Sequence, residues 1–283
     1  MFHQSPAIYV REVSLKVQNL ERSIQFYKEV IGFQLLKKEG NKAYMTVDGE
    51  TAMLILEQPE NVTPKQGRTA GLYHFAILLP TRKDLSKFLR HMAEIRYPLG
   101  AGDHLVSEAL YLNDPDGNGI EVYRDRPQDT WKWNGDLVHM DTLPVDFEDL
   151  LAVTDEPWEG LPAGTKMGHI HLHVSHLDQA REFYTKGLGF DIVSHYPNAI
   201  FLSTAKYHHH IAINTWAGVG APPTPENGVG LKWYTVVFPN EEKREQTVAQ
   251  LQKLGAPVRK EGDLYITEDP SRNTIHLVLE ASS

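Results

Sequence analysis

"VSLKVQNLERSIQFYKEVIGF", residues 13–33, recurs without a gap as "IHLHVSHLDQAREFYTKGLGF", residues 170–190. Leu15, Val17, Leu20, Phe26, Tyr27, Gly32 and Phe33 reappear as Leu172, Val174, Leu177, Phe183, Tyr184, Gly189 and Phe190. Each copy reads as a strand, an Asn/His-Leu-acid entry to a short amphipathic helix, and a Gly-Phe exit into another strand. A second pair follows. "GLYHFAILLPTRKDLSKFLRHM" (71–92) matches "GLKWYTVVFPNEEKREQTVAQL" (230–251), an apolar strand ending at a proline and then a charged helix. After each comes a DP turn and a last strand, "YLNDPDGNGIEVY" (111–123) and "ITEDPSRNTIHLV" (266–278). The chain therefore divides into four units of strand, helix and strands, roughly 8–58, 71–124, 168–215 and 229–280. Two make an N-terminal half over 1–124 and two repeat it over 167–283. Residues 125–166, rich in Pro, Trp and acids and without periodicity, are expected to be a linker packed on the surface.

With 283 residues and 41% hydrophobic content, the chain can build one large or two medium globular cores. A net charge of −9 argues against nucleic acid or an anionic membrane as partner. No apolar run is long enough to span a bilayer and the start carries no signal-peptide pattern, so the expectation is a cytoplasmic protein. There is no cysteine, which leaves His, Asp and Glu as the metal ligands on offer.

Six of the fourteen histidines fall in "GHIHLHV" (168–174) and "YHHHIAIN" (207–214), both read as strands. Alternation puts His169, His171 and His173 on one face of the first run. A half-exposed strand with polar residues toward solvent would account for them. A metal site is the sharper reading, because imidazole is the commonest metal-ligating side chain.

Four such units in two halves resemble the vicinal oxygen chelate superfamily, which includes glyoxalase I, fosfomycin-resistance proteins and extradiol dioxygenases. The motifs "GLYHFAI", "HLVSEALYLNDPDGNGIEVY", "GHIHLHVSHLDQAREFYTKGLGF" and "YHHHIAINTWAG" are most similar to its catechol 2,3-dioxygenase branch. The resemblance covers nearly all of the chain outside the linker. It implies an α+β fold of four βαβββ modules in two tandem halves, with curved, mainly antiparallel sheets around a metal cleft. It also implies that ligands come from a module's first and last strands. The first-strand positions are Glu12, His74, His169 and Trp233; the last-strand position is Glu121 in unit two and His276 in unit four. Unit four departs from the pattern, since Trp233 cannot ligate and His276 stands where a carboxylate is expected. Units two and three together supply His74, Glu121 and His169, the two-histidine, one-carboxylate set of non-haem Fe(II) oxygenases. Mn(II) shares that set. Taken singly, His74 reads as a hydrogen-bonded core residue, Glu121 as a solvated turn residue and His169 as sheet surface. Together they occupy three matched positions at once. A His169/His276 site within the C-terminal half is the alternative.

Catechol cleavage also needs a base near the metal and donors for a developing oxyanion. The resemblance places the catalytic histidine on His209, the substrate-bonding tyrosine on Tyr111 and a further active-site histidine on His104, two residues out of the family's spacing to that tyrosine. His208 and His210 are expected on the opposite strand face, at the surface, the alternative being that one of them supports the site from behind. The function implied is an extradiol dioxygenase acting on a small aromatic diol with O2. The rivals are a glyoxalase-like metal-dependent isomerase, which would want a fourth ligand such as Glu12 or Glu57, and a non-catalytic protein that sequesters a small aromatic. Exposed sheet edges suit a homo-oligomer.

Overall fold

The computed structural model describes residues 2–280. Unit one is β1 (Tyr9–Lys16), α1 (Leu20–Phe26), β2 (Gln34–Glu39), β3 (Lys42–Thr46) and β4 (Ala52–Glu57). Unit two is β5 (Gly71–Leu78), α2 (Arg82–Glu94), β6 (Gly100–Asp103), β7 (Ser107–Asn113) and β8 (Gly119–Asp125). A small hairpin, β9 (Trp133–Asn134) and β10 (Leu137–Val138), and α3 (Phe147–Leu151) follow. Unit three is β11 (Lys166–His173), α4 (Leu177–Glu182), β12 (Asp191–Tyr196), β13 (Ala199–Ser203) and β14 (Ile211–Asn214). Unit four is β15 (Gly230–Phe238), α5 (Glu241–Lys253), β16 (Val258–Glu261), β17 (Leu264–Glu268) and β18 (Thr274–Leu279). These are the four βαβββ modules the repeat implies.

The modules do not pair within their halves. One eight-stranded sheet runs β16-β17-β18-β15-β1-β4-β3-β2, and so joins modules four and one. The other runs β12-β13-β14-β11-β5-β8-β7-β6 and joins modules three and two. Both sheets are mainly antiparallel. The parallel pairs in each are those between a module's first and last strands. The two sheets touch along their central strands, β1 on β11 and β5 on β15. No described helix is long and apolar enough to cross a membrane.

Local sequence explains the elements. In α2, Thr81 and Asp84 form a capping box, and Leu85, Phe88, Leu89 and Met92 make one buried face. Asn19 and Asn240 cap α1 and α5 with their side-chain oxygens, accepting from the Arg22 and Lys243 amides. Both Phe-Tyr pairs are core: Phe26, Tyr27, Phe183 and Tyr184 are all buried. A π-helical turn follows each of α1 and α4, at Tyr27–Ile31 and Phe183–Gly187. The tyrosine hydroxyls find buried partners, Tyr27 donating to Asp114 at 2.9 Å and Tyr184 to Asp269 at 2.8 Å. Asp114 and Asp269 are the aspartates of the two DP turns, each also receiving backbone and Asn amides. Within each half, then, a helix of one sheet is tied to a turn of the other. Between Asp125 and Lys166, α3 lies on α2 and Arg90 donates to the Leu151 and Thr154 carbonyls, while Trp131, Val138, Val145, Leu150 and Leu161 are buried.

Candidate active site

The central strands of the second sheet bring three ligand-type side chains together. The parallel pairing of β5 and β8 sets Ala76 opposite Glu121. The antiparallel pairing of β5 and β11 sets His171 opposite His74 and His169 opposite Ala76. Since alternate residues share a face, His74, Glu121 and His169 meet on one side of the sheet. His74 Nε2 lies 2.9 Å and His169 Nε2 3.1 Å from Glu121 Oε2. One ligand atom from each falls within 4.8 Å of the others, and all three residues are buried. Two glycines make room. A Cβ on Gly168 would sit 1.9 Å from the Tyr123 hydroxyl, and one on Gly119 2.0 Å from the Tyr73 carbonyl.

The donor set fits a divalent cation. His74 Nε2 is close to the carboxylate but is not aligned for a hydrogen bond, so it is buried without a partner. Such an orphan is costly unless something else satisfies it, and an ion between the three groups would do so. The protonation states suit ligation. Burial works to raise the Glu121 carboxyl, but the His169 and His74 imidazoles override it and hold it well below the usual range. Burial pushes His169 down to about 4. At neutral pH the pair is a carboxylate and a neutral imidazole, the forms that bind metal.

Of the cluster, His74 and Glu121 line a cavity of about 400 Å³. His209 and Tyr111 line it, and neither belongs to the ligand cluster. The His209 ring stands 4.0 Å from that of His169. His104 also lines the cavity. Its Nδ1–H donates to the Asp141 carbonyl at 2.9 Å, which leaves Nε2 to accept the Tyr111 hydroxyl at 2.6 Å. His209 is held from behind. Asp125 accepts from His208 Nε2–H at 2.7 Å, the tautomer that leaves the His208 Nδ1 lone pair as an acceptor. His209 Nδ1–H donates to that lone pair at 2.9 Å. The partners thus assign His209 the tautomer with Nε2 free. Burial lowers its basicity and keeps it neutral. Tyr207 braces Asp125 at 3.2 Å, and the Tyr123 hydroxyl donates to Tyr207 at 2.6 Å.

Residues 10–122 and 166–277 match the glyoxalase/bleomycin resistance protein/dioxygenase superfamily. The chain belongs to it. Over 268 residues it is 48% identical to a catechol-2,3-dioxygenase of Bacillus subtilis (strain 168), covering 93% of this chain and 94% of that one. Biphenyl-2,3-diol 1,2-dioxygenase 3 of Rhodococcus globerulus is 28% identical over 155 residues, 52% of this chain and 81% of the relative. Glyoxalase I of Zea mays shares the fold with a TM-score of 0.59 at 17% identity, over 95% of this chain and 92% of its own.

Superfamily membership does not carry every expectation. "YHHH" is not part of a strand: β13 ends at Ser203 and β14 begins at Ile211. His208 and His210, expected at the surface, are both fully buried. His208 backs His209, and His210 donates to the Phe2 carbonyl at 2.8 Å. His276 lies in the other sheet, stacked on Trp233 with centroids 4.3 Å apart, and is not part of the cluster with His169. Glu57 also lies in that sheet, paired with Lys232 and Lys42. Glu12 sits beside Arg11 in β1. Neither is a fourth ligand to the described cluster. The cavity residues not singled out from the sequence include His171, Tyr73, Phe201 and Trp216. His171 shares its strand face with His169, and that alternation was its one signal. Asn214 organises this region, donating to His171 at 2.8 Å and accepting from His173 at 2.7 Å and from the Trp216 amide at 2.9 Å.

Proposed function

We propose that this protein is an extradiol ring-cleaving dioxygenase that opens a catechol-type substrate with O2 at a non-haem Fe(II) held by His74, His169 and Glu121. The observation that carries the reading is a buried two-histidine, one-carboxylate cluster opening on a cavity that also presents a neutral imidazole and a tyrosine. The 48% identity to a catechol-2,3-dioxygenase supports it. Mn(II) suits the same three ligands. Once bound, the ion would supply positive charge that favours the catecholate and would hold diol and dioxygen side by side. His209 Nε2 takes the proton that the diol gives up, because Asp125 and His208 keep that nitrogen unprotonated and aimed. Tyr111 accepts from or donates to a diol oxygen through the hydroxyl that His104 now holds. A three-ligand cluster leaves positions for both diol oxygens, whereas the isomerase reading wants a fourth protein ligand that this site lacks among the described residues. The outer strands β2, β16, β6 and β12 each have one unpaired edge, where a second copy of the chain would add.

The test is anaerobic reconstitution with Fe(II), followed by oxygen-electrode and visible-absorbance assays on a panel of catechols. One O2 should be consumed per catechol, with a coloured ring-opened product. His74→Ala, His169→Ala and Glu121→Ala should each lose iron and turnover together. An iron-loaded protein that consumes no O2 with any catechol would end the dioxygenase reading.

A further inference from the structure

From the ligand cluster the cavity runs outward along a series of rings. Phe201 stands 5.1 Å from His209 and 5.9 Å from His171. Trp216 follows, 5.2 Å from His171, with Tyr73 5.3 Å and Tyr196 6.4 Å from it. At the mouth Tyr73, Tyr196 and Trp216 are 40%, 48% and 42% exposed, an apolar aromatic rim left in contact with water. Across the cavity lie Ala101, Val106 and Met140. Among the described residues, no lysine or arginine lines it, and the acids that do are Glu121 and Asp141. His104 already uses both ring nitrogens, so it has no hydrogen bond left for an anion. Two further imidazoles line it: His171, buried and accepting from Asn214 at 2.8 Å, and His195, exposed at the mouth.

A carboxylate drawn into this space would lose water and meet no fixed cation, which is costly. An apolar substituent would gain contact with the rings and leave water. The space is there: a cavity of about 400 Å³ suits a ligand well beyond a bare catechol. On the dioxygenase reading, we propose that this site takes uncharged catechols bearing an apolar alkyl or aryl substituent directed at the Trp216–Tyr196 mouth, and selects against ring carboxylates.

Methyl 3,4-dihydroxybenzoate and 3,4-dihydroxybenzoate are close in shape and differ in charge. The iron-loaded protein should turn over the ester with a kcat/KM on the order of 10²-fold above the acid, the effect of an unpaired buried charge. Along a 4-alkylcatechol series, kcat/KM should rise up to about fourfold per methylene until the chain reaches solvent. Trp216→Arg, at a position 42% exposed, should shift the acid-to-ester ratio about tenfold toward the acid. Anaerobic calorimetric binding of the two compounds gives the same comparison without turnover. Equal binding and turnover of acid and ester, or a flat alkyl series, would overturn the inference while leaving the dioxygenase reading standing. Absence of O2 uptake with every compound would overturn the dioxygenase reading, and the ester-to-acid binding ratio would then decide the charge preference alone.

Discussion

Replacing His208 with phenylalanine keeps a ring in a fully buried slot but removes the Nδ1 that accepts from His209. Two things follow for His209. Its Nδ1–H loses a buried partner, an effect of about 1–3 kcal/mol. The ring is also freed to take the other tautomer, in which Nε2 carries the proton and cannot act as base. At 1.36 kcal/mol per tenfold, kcat should fall roughly 10- to 100-fold. His209→Ala, which removes the base altogether, should lower it about 10²–10⁴-fold. The decisive measurement is the double variant. If His208 acts through His209, then removing both should be no worse than removing His209 alone, because the two losses share one cause. His208→Asn, with one acceptor and one donor, should recover part of the rate. Iron content and catechol affinity, measured beside oxygen uptake, should stay near wild type in every variant. A double variant whose loss equals the product of the single losses would refute the relay, as would a His208→Phe enzyme of normal kcat.

Tyr111→Phe should lower kcat about tenfold, since it removes one hydrogen bond at the substrate oxygen, and should leave bound iron unchanged by metal analysis. Gly168→Ala should destabilise the fold by roughly 1–3 kcal/mol in urea titrations and weaken iron binding, because the new methyl collides with Tyr123 next to His169. His3 should make the protein acid-sensitive. Burial lowers its pKa from 6.5 to about 4, outweighing its hydrogen bond to the Gly168 carbonyl. The unfolded chain therefore takes up the proton first: the stability is present above pH 6.5 and is lost as pH falls from there toward 4, up to about 3 kcal/mol. His3→Gln should flatten that part of the curve of urea midpoint against pH. An unchanged slope would assign the acid loss to other buried imidazoles.

The repeat made the modules readable, and the superfamily resemblance, applied to the first and last strand of each module, pointed to His74, Glu121 and His169. Reading which side chains share a face rests on strand periodicity, which holds through β5, β8 and β11. It fails at His208 and His210 for a local reason. Ala205 and Lys206 both take positive φ, 54° and 57°, and turn the chain after β13. Past that turn, side-chain direction no longer alternates, so consecutive histidines all point inward. Other features were out of reach because they join distant segments. Asp125 and His208 meet across two modules, and Asp141 reaches His104 from the connecting segment. The connecting segment looked like plain surface covering, yet Met140, Asp141 and Thr142 form one side of the cavity. Nothing in their composition announces that.

Because each sheet takes one module from either half, the order of synthesis matters to the proposed metal site. A nascent N-terminal half carries His74 and Glu121 on β5 and β8, but β5 has an open edge until β11 arrives. Two ligands on an incomplete sheet hold a divalent ion poorly, and His169 emerges only after the connecting segment has left the ribosome. Metal loading is therefore placed after completion of both halves. A truncated or stalled chain would present no competent centre at which iron and oxygen could react without substrate.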